Sequence, residues 1–166
     1  AYFDVVKDES APFIVKTESG KIEVLGTEFN IKCYSDESAL VTTLVNGKVK
    51  FDDGMNPSVI LKPEEQLIFE KENCQSIVRK INVNHYIGWK DNRLSFQGER
   101  LDMIMKTLSR WYNVEVVFED STLKALEFSG NLDKFTNIQE FLSLFELGVN
   151  VKFEIKDRTV YIRKGN

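Results

Sequence analysis

Several residue types are too scarce in this chain to support most kinds of chemistry. Its 166 residues include one histidine, two cysteines and three prolines. A lone His85, with no Ser or Cys partner offered around it, excludes a readable nucleophilic triad. Cys33 and Cys74 form no CxxC or Cys/His spacing, which excludes the usual zinc and redox frameworks, and they are expected as two unpaired thiols. No GxGxxG or GxxxxGK[ST] occurs, so no phosphate-cradling loop is predicted. No basic run exceeds two residues, and 22 basic against 26 acidic residues give a net charge of −4. Binding a phosphate backbone needs clustered cations, so nucleic acid is a poor partner. No apolar run approaches the roughly 18 residues of a membrane span, and Ala1 opens no signal-peptide core. The opening Ala1-Tyr2-Phe3-Asp4 lacks an initiating Met and predicts a soluble fragment of a longer protein.

What is abundant is core-forming material. The chain is 42% hydrophobic and 29% charged, with 12 Phe. That composition predicts a folded protein with an aromatic core. The first half is a series of short strands. Phe13 to Thr17 ends at Ser19-Gly20; Ile22 and Val24 alternate with Lys21 and Glu23; Phe29, Ile31 and Cys33 alternate with Asn30 and Lys32. Asn46-Gly47, between Val41–Val45 and Lys48–Phe51, predicts a two-residue hairpin. Val59 and Leu61, Leu67 and Phe69, and Ile77 and Ile81 complete seven or eight strands, with no helix before residue 82. The expected module over 1–82 is all-β, sandwich-like or solenoid-like.

The periodicity stops around Asn82–Tyr86, and a second domain, 83–166, follows with a repeat in it. Leu94-Ser95-Phe96-Gln97-Gly98 recurs as Leu126-Glu127-Phe128-Ser129-Gly130, and Val114–Phe118 recurs as Val149–Phe153. Between them, Leu101, Ile104, Met105, Leu108 and Tyr112 form one helical stripe that Asn113 ends. Ile138, Phe141, Leu142 and Phe145 form another, ended by Gly148. Thr136-Asn137-Ile138-Gln139 reads as a capping box with Thr136 as N-cap. A strand pair, Val151–Ile155 and Val160–Ile162, turns at Lys156-Asp157-Arg158. The fold class is α+β: a β module, then a duplicated β-α-β, β-α-β-β unit forming a small sheet with two helices on one face. Gly98 and Gly130 let each copy bend out of its strand.

Candidates for chemistry are thin. The acidic pairs Asp36-Glu37, Asp52-Asp53 and Glu119-Asp120 fall at strand ends, where solvated turn carboxylates are expected. Asp52-Asp53-Gly54-Met55-Asn56 lacks the downstream Glu of a calcium loop. Trp111 is expected to pack on the sheet or the domain junction, and Trp89, which follows the linker, to pin the two domains together.

Taken in order, these segments resemble a known family. Val24-Leu25-Gly26-Thr27-Glu28-Phe29-Asn30-Ile31 is similar to the VLGTxF signature of FecR-family anti-sigma factors. Leu44-Val45-Asn46-Gly47-Lys48-Val49 resembles the family's following segment. Leu61-Lys62-Pro63-Glu64-Glu65-Gln66 resembles its L-x-P-G-E-Q turn, with Glu64 in the place of Gly. Trp89-Lys90-Asp91-Asn92-Arg93-Leu94-Ser95-Phe96, Leu101, Trp111-Tyr112-Asn113 and Phe128-Ser129-Gly130 resemble the C-terminal domain of such proteins. The likeness spans roughly residues 13–164. Its structural positions are Leu25, Gly26, Thr27, Phe29, Gly47, Trp89, Phe96, Trp111, Tyr112 and Gly130.

The resemblance implies the periplasmic region of a single-pass inner-membrane regulator. It implies a FecR-like domain followed by one similar to the short N-terminal domain of secretins and TonB-dependent transporters. The implied partners are the signalling domain of such a transporter and, through a cytoplasmic segment outside this chain, an extracytoplasmic-function sigma factor. No cofactor, metal or catalytic residue is implied, and no enzymatic activity. The last hairpin offers an edge for a partner strand, with Val151, Phe153, Val160, Tyr161 and Ile162 as candidate protein-binding residues. The alternative is a periplasmic carbohydrate-binding or glycan-sensing module using Trp89 or Trp111 as a platform.

Overall fold

The computed structural model describes residues 1–133 and 137–165, with Leu132 and Asp133 described as backbone only. The chain divides into two compact units, Ala1–Lys90 and Asp91–Asn166.

The first unit holds nine strands: β1 (Tyr2–Val5), β2 (Phe13–Thr17), β3 (Gly20–Val24), β4 (Thr27–Lys32), β5 (Ala39–Asn46), β6 (Val49–Asp52), β7 (Val59–Leu61), β8 (Glu65–Glu70) and β9 (Gln75–Lys80). The sequence pattern misses β1, which is too short for alternation to stand out. One sheet runs β1-β4-β5-β8-β9 and the other β2-β3-β6-β7. Their apolar faces share one core. Ile22, Val24, Val49, Phe51 and Leu61 come from the four-stranded sheet, and Phe29, Leu40, Leu44, Leu67 and Phe69 from the five-stranded one. The Phe51 and Phe69 rings meet across the gap at 5.1 Å. Of the two expected forms, the structure takes the sandwich.

Asn46-Gly47 does not close a hairpin. β5 pairs with β4 and β8, whereas β6 pairs with β3 and β7, so the dipeptide carries the chain from one sheet to the other. Only Gly47 has a positive φ, 91°, and a type I′ hairpin needs two such residues. The reason lies in the facing segment. Thr27 Oγ1 donates to the Lys48 carbonyl at 2.9 Å and accepts the Lys48 N–H at 3.3 Å. A Cβ on Gly47 would sit 2.6 Å from the Gly26 carbonyl oxygen, and one on Gly26, itself at φ 146°, would run into Lys7 Cα. The Gly-Thr and Asn-Gly motifs are thus two halves of one close approach. Glu64 adopts φ 66°, so it keeps the left-handed conformation that Gly would take there.

After β9, α1 (Asn84–Ile87) and most of a 3-10 turn at Gly88–Asp91, as far as Lys90, belong to the first unit. Trp89 Nε1 donates to Asn30 Oδ1 at 3.1 Å. Arg79 donates to both Gln66 Oε1 and the Tyr86 hydroxyl, and Gln66 Nε2 donates to Thr43 Oγ1. These polar contacts hold residues 84–90 to the first unit, past the point where hydrophobic periodicity lapses.

The second unit contains β10 (Arg93–Arg100), α2 (Leu101–Tyr112), β11 (Glu115–Phe118), β12 (Glu127–Asp133), α3 (Ile138–Glu146), β13 (Val151–Lys156) and β14 (Thr159–Lys164). The class is α+β, as the sequence predicts, but the strands form two sheets rather than one. The leading strands of the two copies, β10 and β12, pair antiparallel with each other. The other sheet has the order β11-β14-β13. Both sheets close on the helices. Leu101, Ile104, Met105 and Leu108 of α2 and Ile138, Phe141, Leu142 and Phe145 of α3 are buried in one cluster with Phe96, Val151, Val160 and Ile162. A single sheet would leave one flank of these helical stripes wet.

Asn113 ends α2 in the left-handed conformation, φ 53°, as its residue type predicts. The cap of α3 is Asn137, one residue later than expected. Its Oδ1 accepts the Glu140 N–H at 2.9 Å, and its Nδ2 donates to Glu140 Oε1 at 3.0 Å. Thr136 lies outside the described residues.

Candidate protein-docking edge

The candidate site is the terminal hairpin. Lys156 pairs with Thr159 around Asp157, whose φ of 53° turns the chain. Arg158 holds this turn in place, its Nε and Nη2 donating to the Asn113 carbonyl at 3.1 and 2.9 Å. The end of α2 therefore orients the hairpin.

Within the sheet the two strands differ. β14 is paired on both sides, parallel to β11 through Val116↔Val160 to Phe118↔Ile162 and antiparallel to β13. Val160, Tyr161 and Ile162 thus lie in a central strand with both ladder faces used. Val160 and Ile162 are fully buried. β13 is the edge, so the available border is narrower than the sequence suggests. Val151 faces the core, and Phe153 packs partly against it. What β13 presents is its outer main chain, flanked by exposed Lys152 and Lys156.

Glu146, which the sequence reading passes over, sits on this edge. Its Oε1 accepts the Phe153 N–H at 2.8 Å, and its Oε2 accepts Lys152 Nζ at 2.6 Å. The Lys152 bond, then the Phe153 amide, holds the carboxyl below its ordinary range. One signal was available: an acidic residue in the last turn of a helix opposes the helix dipole and calls for a compensating partner.

The other candidates resolve into structure. Asp52 accepts the Gly54 N–H, and Asp53 accepts the Asn56 side-chain amide and then the Asn56 and Met55 N–H groups; these bonds hold both carboxyls low. Asp120 caps the turn at Ser121–Ala125 through Thr122. Glu37 is buried against Lys32 Nζ at 3.0 Å. Among the described residues no group of three or more His, Cys, Asp or Glu could hold a metal ion. Cys33 and Cys74 are free thiols. Trp111 and Tyr112 pack half-buried on the second core, Phe96 lies within it, and Phe29 is fully buried in the first. Leu25 is 44% exposed, and the Gly130 backbone pairs with Phe96.

The chain is thus a β-sandwich followed by a duplicated β-α-β unit, with β11 and β13 as the two outer strands of its three-stranded sheet. Residues 1–50 match the family described as FecR protein, and residues 93–162 match FecR, C-terminal. Together the matches cover well over half of the chain in the family's own order, and the chain belongs to the FecR family. Two crystal structures of a protein provisionally described as an anti-sigma factor from Parabacteroides distasonis share the fold. One has TM-score 0.88 at 24% identity, covering 99% of this chain and 77% of that one. The other has TM-score 0.87 at 24% identity, covering 99% and 76%. Nothing among curated protein sequences matches. Among the described residues, no helix is long and apolar enough to cross a membrane.

Proposed function

We propose that this chain is the sensor region of an anti-sigma factor. In this reading it lies in the periplasm as part of a protein anchored in the inner membrane. It receives its signal by direct contact with the signalling domain of a TonB-dependent outer-membrane transporter. The contact biases release of an extracytoplasmic-function sigma factor, held by a cytoplasmic segment outside this chain. Family membership supports the anti-sigma role.

The observation that carries the receptor reading is the edge strand β13. Strand addition supplies affinity through main-chain hydrogen bonds and needs no catalytic group. The duplicated unit also resembles the fold of the transporter's own signalling domain, so two like sheets would meet edge to edge. A stable contact of this kind buries about 800 Å² on each partner. Calorimetric titration of the chain with the signalling domain of its cognate transporter should give saturable heat and co-elution. No heat and no co-elution at high concentration would overturn the reading.

A further inference from the structure

Glu146 ends α3 where the helix terminus carries partial negative charge, and no basic residue stands in that last turn to offset it. Its contacts with β13 are its compensation. The hairpin register shows what they occupy. Because Lys156 and Thr159 face each other across a two-residue turn, Lys152, Glu154 and Lys156 direct their backbone groups at β14. Val151, Phe153 and Ile155 direct theirs outward. The Phe153 N–H is therefore the central donor of the outer edge, and the Glu146 carboxylate covers it. The neighbouring outward amide, that of Val151, bonds the Val149 carbonyl at 2.8 Å. The chain's own oxygens thus close two of the three outward donors, the kind of protection an edge strand needs against unwanted pairing.

We propose that Glu146 is a stopper on the β13 edge, standing where a docking strand's carbonyl and acidic side chain come to stand, and that the partner is an extended acidic segment that displaces it. The proposal rests on β13 being the docking edge. Glu146 brings to β13 two things, an acceptor for a main-chain donor and a negative charge for Lys152. A strand that replaces only the acceptor strips Lys152 of its counter-ion, whereas an acidic strand restores both. Along the hairpin Lys152, Lys156, Arg158, Arg163 and Lys164 outnumber Glu154 and Asp157, and although Lys156 pairs with Glu154 and Lys164 with Asp120, the excess of positive charge favours the acidic strand. Leu147, next to the stopper and 84% exposed, offers the incoming segment apolar contact.

The test uses the whole chain and, as probe, the purified signalling domain of the cognate transporter. Glu146→Ala should bind it roughly three- to tenfold tighter than wild type, the range of one charge-assisted bond partly screened by water. Adding Lys152→Glu in that background should reverse the gain. Amide exchange at Phe153 should be slow in the wild type, fast in free Glu146→Ala and slow again in its complex. Glu146→Gln, milder and isosteric, serves for the affinity comparison if the alanine variant does not fold, since it removes the charge while its amide oxygen can still cover the Phe153 N–H. Equal affinity of variant and wild type with Phe153 protected by the probe would sink the stopper and leave the docking edge standing. Binding by Glu146→Ala that leaves its Phe153 amide exchanging fast would sink both, as would no binding by either chain.

Discussion

The Phe145 ring stands edge-on to Phe128, centroids 4.7 Å apart and planes at 82°. Phe145 also meets Phe96, Phe141 and Phe153, at 6.3, 5.3 and 6.4 Å. Phe96 and Phe128 belong to the two-stranded sheet and Phe153 to the three-stranded one. One side chain of α3 therefore joins both layers of the second unit, and its loss should be felt in both.

Phe145→Ala should cost about 3–5 kcal/mol, the range for an aromatic removed from a packed core. Phe145→Leu, which keeps most of the volume, should cost well under half as much. Urea unfolding followed by near-ultraviolet circular dichroism distinguishes them. Equal midpoints for wild type and Phe145→Ala would refute the joining role.

Gly26→Ala and Gly47→Ala should each destabilise the first unit by about 2 kcal/mol or more. A left-handed backbone costs an L-residue roughly 1–2 kcal/mol, and the added Cβ meets backbone atoms besides. Thr27→Ala should cost about 1 kcal/mol, since it removes hydrogen bonds without a clash. Thermal melts of the three variants give the order, and a Thr27→Ala loss larger than either glycine loss would contradict it.

Thr42 is fully buried in β5, and its Oγ1 has no hydrogen-bond partner among the described residues. Thr42→Val removes an unpaired hydroxyl at nearly constant shape. The expected gain is about 1 kcal/mol, seen as a later urea midpoint with unchanged slope.

The acid limb of stability should carry a contribution from Glu146. Its folded carboxyl titrates below the ordinary 4.5, first through Lys152 and then through the Phe153 N–H. A depressed folded value stabilises in full above the ordinary value and loses that stabilisation as pH falls through the folded one. Wild type should therefore exceed Glu146→Gln in stability at pH 7, with the difference closing below pH 4.5. It should also shrink in high salt. A difference that persists at the lowest pH would mean that packing, not charge, is responsible.

The sequence by itself determined most of the strands and the two longer helices, though not β1 or the short α1, where the doubled unit begins, and which side of those elements is apolar. Alternation around Phe29 and Ile31 and the stripe from Leu101 to Leu108 are local records of one buried face. Asn113 is likewise a local record of a left-handed stop. Pairing is not local, and only the tertiary structure decided it. Asn46-Gly47 reads as a hairpin until Thr27 and Gly26 approach it from 21 residues back in the chain and turn it into a bridge between sheets. The two copies of the repeat read as one sheet until β10 and β12 pair with each other. Val151–Ile162 reads as a single edge until β11 takes the far side of β14 and leaves β13 as the hairpin's one edge strand. Glu146, unremarked in the sequence, becomes the guard of that border only when α3 is laid against β13. Side-chain periodicity encodes which face avoids water. Which strand lies beside which is set by chain closure and by the fit of distant backbones.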